Sequence, residues 1–73
     1  MLQAAALEAL RNSFREQCKW LHARAETYES GKLKVLDDQG NDVTAQTAMD
    51  YRHRAGNCEA AIEAYERLLA KGS

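Results

Sequence analysis

The sequence predicts a mainly α-helical fold: an antiparallel hairpin of two helices, about residues 2–30 and 44–71, joined by a short extended or β-hairpin-like connection. Three observations predict it. Apolar residues recur at spacings of three and four through both halves of the chain. Turn-forming residues cluster in the middle, at Asp37, Asp38, Gly40, Asn41 and Asp42. No proline interrupts either periodic segment.

The first helix is built on Leu7, Leu10, Phe14, Cys18, Leu21, Ala25 and Tyr28, spaced 3, 4, 4, 3, 4, 3. Ala4, Ala5, Ala6 and Ala9 add helix propensity at its start. Gly31 is placed to end it as the C′ residue. Glu26 and Glu29 stand near its C-terminus, where the helix dipole disfavours acid, and Lys32 and Lys34 are expected to offset them. The connection, KLKVLDDQGNDV, alternates around Leu33 and Val35 as a half-buried strand would. Residues 33–36 and about 42–43 read as a very short hairpin or an extended loop, too small to stand without the helices. In the last segment Ala48, Tyr51, Ala55, Cys58, Ile62, Tyr65 and Leu69 form a strict heptad seam of the coiled-coil kind. Thr44 is the expected N-cap, with Val43 and Ala48 as a hydrophobic staple, and Thr47 with Asp50 competes for that role. Gly72 is placed as the second C′ glycine.

Helices joined this closely pack antiparallel, which fixes a register. Facing residues should have numbers summing to about 76. Leu7 then meets Leu69, Phe14 meets Ile62, Cys18 meets Cys58, Leu21 meets Ala55, Ala25 meets Tyr51 and Tyr28 meets Ala48. The last three layers put a large side chain against a small one, as interdigitation requires. Gly56 points about 130° from the seam. It is either a close approach on the outer face or a weak spot in the helix.

A chain of 73 residues is one domain, 1–73, near the lower limit for folding alone. Its 45% apolar and 29% charged residues are those of a globular protein. A net charge of -1 argues against a dedicated polyanion binder. No apolar run approaches the roughly 20 residues of a membrane span. The start, MLQAAALEAL, carries Glu8 and no basic stretch, so it makes a poor secretory signal and a cytoplasmic location is expected.

Two helices make a thin core, so a partner is expected. Leu2, Ala6, Ala9, Ser13 and Trp20 form a second stripe on the first helix, and Ala61, Ala64 and Leu68 widen the apolar face of the second. Leu2, Phe14, Trp20, Tyr51 and Tyr65 are the candidate interface residues, Trp20 foremost because Trp is enriched at binding hot spots. Otherwise Trp20 covers the edge of its own hairpin. Dimerisation into a four-helix bundle is the simplest completion.

Catalytic motifs are absent: no Gly-rich phosphate loop, no Gly-x-Ser-x-Gly and no His-Glu-x-x-His. Cys18 and Cys58 share a layer and could form a disulfide, but in the cytosol they are expected to be packed thiols. A zinc site from Cys18, His22, His53 and Cys58 has suitable ligands, yet His53 points about 140° from Cys58, and one hairpin cannot gather all four. The acidic turn fails the calcium-loop pattern from either Asp37 or Asp38. No metal or cofactor is therefore expected; a zinc site completed across a dimer and a metal-stapled structural domain, which would lose helicity in chelator, are the alternatives left open.

Arg11, Arg15, Lys19 and His22 line one side of the first helix, with Arg24, Lys32, Lys34, Arg52, His53 and Arg54 nearer the turn. Glu8, Glu59, Glu63 and Glu66 gather toward the other end. The functional expectation is a small non-enzymatic protein–protein interaction module acting as a homodimer on an unidentified protein. In size and style it fits small bacterial or phage accessory proteins, an analogy rather than a motif match. The alternative is a small DNA-binding regulator contacting phosphates through Arg15, Lys19, Arg52 and Arg54.

Overall fold

The computed structural model describes residues 3–72. Two helices, α1 (Ala4–Glu29) and α2 (Thr44–Lys71), pack against each other as an antiparallel hairpin. Leu2 lies outside the described residues. The expected connection is reduced to an isolated antiparallel bridge between Leu36 and Asp42, and no strand forms among the described residues.

The turn shows why. Asp37 gathers the loop around its carboxylate, which accepts the backbone N–H groups of Gln39 and Asn41 at 2.9 and 2.8 Å. Gly40 takes a positive φ of 83°, which closes the turn without a Cβ clash. Val35 and Val43 then remain half-buried in the connection, the Val35 carbonyl accepting Val43 N–H at 2.8 Å. Leu33 and Leu36 are exposed, so the alternation marks no buried strand face.

Helix α1 ends as expected. Gly31 has φ 80° and its N–H donates to the Tyr28 carbonyl. Helix α2 starts differently from the expectation. Thr44 is its first residue rather than its cap, and the capping position is Val43, which has no side-chain acceptor. Asp42 does the work instead: its carboxylate accepts both the backbone N–H and the hydroxyl of Thr44. Thr44 Oγ1 in turn accepts Val35 N–H at 2.9 Å, tying helix start to connection. The Thr47 hydroxyl bonds back to the Val43 carbonyl, so Thr47 is not a cap either. Gly72 is still right-handed at φ −81°, a continuation of the helix and not a left-handed C′ residue.

The register holds. Leu7, Cys18, Leu21, Ala25, Ala48, Ala55 and Cys58 form the buried core, and all seven belong to the seams read from the spacing. Ala25 and Ala55 are wholly buried, the small partners that let the helices approach. Cross-helix pairs such as Cys18–Glu59, Phe14–Tyr65 and Trp20–Tyr51 straddle the expected register. Leu10 departs from it, with 39% of its surface exposed. Leu10 sits about 40° off the seam centre, and a hairpin has no third helix to cover that angle. No helix of the described residues is long and apolar enough to cross a membrane.

Candidate functional site

The two long sides of the hairpin differ in chemistry. One side is laced by polar groups from both helices. Arg15 pairs with Glu66 at 2.9 Å. Arg52 grips Glu29 with two donors, at 3.0 and 2.7 Å. Between these ion pairs, His22 Nε2 meets Glu59 Oε1 at 2.6 Å and Arg52 Nη1 meets His22 Nδ1 at 2.7 Å. Arg52 can only donate, so Nδ1 accepts and the ring hydrogen sits on Nε2, aimed at Glu59. The His22–Glu59 contact is therefore a hydrogen bond rather than a full ion pair. The Cys18 thiol adds itself to the same carboxylate at 3.7 Å. One connected chain thus runs Glu29, Arg52, His22, Glu59, Cys18.

This network sets the local electrostatics. Hydrogen bonding from His22 holds the Glu59 carboxyl below its ordinary value, and hydrogen bonding from Arg52 does the same for Glu29. Burial, with the Glu59 carboxylate beside it, pushes the Cys18 thiol up. A thiol held protonated this way is a poor nucleophile. Both cysteines are free and buried. It is also Arg52, from the facing helix, that offsets acid at the end of α1, where Lys32 and Lys34 were expected to do so.

The opposite side is open and carries exposed apolar residues beside Arg24 and Arg54. Trp20 is 52% exposed and Leu68 51%, and Leu10 lies on the same flank. Trp20 packs edge-on against Tyr51, with ring centroids 5.9 Å apart. Arg24 lies over the Trp20 ring and Arg54 over the Tyr51 ring. Trp20 therefore both covers the edge of its own hairpin and presents half its surface outward.

Of the interface residues read from the sequence, Phe14 and Tyr65 are brought together, stacked at 5.6 Å and half-buried within one chain. Tyr51 is likewise half-buried, stacked on Tyr28. Trp20 stays the most accessible of them among the described residues. Leu10 and Leu68 join it, though Leu10 had been assigned to the seam. Of the candidate phosphate contacts, Arg15 and Arg52 are each tied to a glutamate and Lys19 lies 3.3 Å from Glu16. Arg54 rests on a ring. The polar side is thus charge-compensated where a nucleic-acid face would carry free cations.

Sequence reasoning missed Glu59 as a partner of Cys18 and His22. Cys18, His22 and Glu59 place one ligand atom each within 4.8 Å of one another. His53 is exposed on α2 and takes no part in this cluster. An open groove at the turn end is lined by Tyr28, Glu29, Asp42, Thr44, Ala48 and Met49 among others, with the Thr44 hydroxyl there engaged by the Asp42 carboxylate. No protein-family model, no curated protein and no solved structure matches the chain.

Proposed function

We propose that this chain is a small, non-enzymatic interaction module that works as a homodimer, two hairpins closing into a four-helix bundle of coiled-coil-like packing through the Leu10, Trp20 and Leu68 side. The accessible surface carries this reading. The chain exposes 5528 Å². A compact monomer of 8.2 kDa exposes about 4,500 Å². The excess, about 1,000 Å², is close to the roughly 800 Å² that each partner covers in a standard interface. A second copy is thus the occupant whose size the surface fits, and a twofold contact would set each apolar stripe against its equivalent. Trp, Tyr and Arg, the residue types most enriched at hot spots, all stand on this side. The outer helix faces would then meet the protein that the dimer serves.

Size exclusion with light scattering tests the reading, at low and high salt and with and without reductant. The expected mass is twice 8.2 kDa under all four conditions, because neither ion pairs nor a disulfide make the contact. Leu68→Glu is expected to shift it to one chain while far-UV circular dichroism stays helical. A folded monomer of the natural sequence at every concentration would overturn the proposal.

A further inference from the structure

The polar side carries a second inference, which does not depend on dimerisation. We propose that Cys18, His22 and Glu59 bind a divalent transition cation of the zinc class, which staples α1 to α2.

Cys18 and His22 are four residues apart on one helix, so they lie on one face a turn apart. Glu59 reaches them from the other helix. The set offers sulfur, nitrogen and oxygen, a donor mixture that suits zinc and its neighbours better than magnesium or calcium. Neighbouring ligand atoms around tetrahedral zinc stand about 3.4–3.6 Å apart, given its bond lengths. Cys18 Sγ and Glu59 Oε1 are already at 3.7 Å. His22 Nε2 and Glu59 Oε1 are at 2.6 Å and must open by about 1 Å once a cation replaces the hydrogen between them. Sγ and Nε2 are within the 4.8 Å limit of the cluster. The side chains of His22 and Glu59 are 38% and 56% exposed, so an ion can enter from solvent and water can take the fourth position.

Binding breaks the thiol S–H bond and forms the metal–sulfur bond, with that proton released to solvent. The imidazole moves its hydrogen from Nε2 to Nδ1. Nδ1 then faces the Arg52 Nη1 donor at 2.7 Å, so two donors oppose each other and Arg52 must withdraw. Glu29, which Arg52 now grips, is the nearby carboxylate that can receive the new Nδ1–H, the arrangement typical around metal-bound histidine. Arg52 is accordingly a competitor of the ion, and that gives the proposal a signature that a purely structural network lacks.

The test titrates the reduced full chain with cobalt(II) and then displaces cobalt with zinc. One cobalt per chain is expected, with a thiolate-to-cobalt charge-transfer band and tetrahedral visible bands. Glu59→Gln, an exposed and structurally mild change, should weaken binding about tenfold or more. Arg52→Met should tighten it. Cys58→Ser should keep the charge-transfer band, whereas Cys18→Ser should lose it. Zinc at a hundredfold excess over Kd should raise the thermal midpoint by about 10–20 °C. No thiolate band in the natural sequence overturns the proposal. So does a band that follows Cys58 rather than Cys18, or an affinity that Glu59→Gln leaves unchanged.

Discussion

Gly56 sits in mid-α2 with nothing within 4 Å of the place where a Cβ would stand. Nothing within the hairpin approaches this position, so no contact inside the chain requires the glycine. Gly56→Ala should therefore stabilise the hairpin by about 0.5–1 kcal/mol, read as a rise in the thermal midpoint. Leu21 is the opposite case. It is 4% exposed and packs with Cys18, Ala55 and Cys58, where one missing side chain cannot be replaced by a neighbour from a third helix. Leu21→Ala should cost about 2–5 kcal/mol, enough to unfold much of so small a domain in a denaturant titration. Both residues were legible from the spacing alone, because burial along a helix is a matter of angle. Glu59 was not. It reads as one of three acids on a solvated face with Glu63 and Glu66, and only the register brings it between Cys18 and His22. Leu10 was misjudged for a related reason: its spacing puts it in the seam, but its coverage depends on how many helices surround that seam.

At the scale of elements, both helices were legible almost to their ends, and the helix start at Thr44 shows where legibility stops. A Thr before a periodic segment has the composition of an N-cap. Its actual role depends on the backbone path, which brings Val35 within reach of its hydroxyl and leaves Asp42 to take its N–H. Asp37 and Asp42 consequently hold the connection, and both carboxyls lie below their ordinary value of 3.8. The backbone N–H of Asn41 lowers Asp37 first, and the Thr44 hydroxyl lowers Asp42 first. A folded value below the unfolded one means that this stabilisation is complete above the unfolded value and is lost as pH falls through the folded one. Glu29 and Glu59 act in the same direction. Thermal midpoints should thus vary little between pH 7 and about 5 and drop on acidification below about 4. Asp42→Ala should lower the midpoint at pH 7 and flatten part of the acid limb. An acid limb unchanged by that substitution would place the titrating carboxylates elsewhere.

At the scale of the whole molecule, shape argues more strongly than any single residue. The hairpin extends 52 × 18 × 14 Å with a radius of gyration of 16.3 Å. A compact domain of its length would have a radius near 11 Å. A rod of two helices has one internal contact, and each helix keeps most of its circumference in water. The polar side meets water with paired ions, which gain little from being covered. The apolar side has Trp20 and Leu68 half-exposed, with about 15 Å of helix rise between Leu10 and Trp20, and covering it removes that surface from water. If a second copy covers it, folding and association are linked, and the stability of each chain depends on how many others are present. The thermal midpoint should then climb with protein concentration across a range from about 1 to 100 µM, by several degrees. Leu68→Glu should lower the midpoint and remove its dependence on concentration. Zinc should raise the midpoint in both proteins, since its proposed ligands lie on the other side of one hairpin. A midpoint that does not move with concentration would leave the hairpin stable by itself and exclude self-association as the source of its stability.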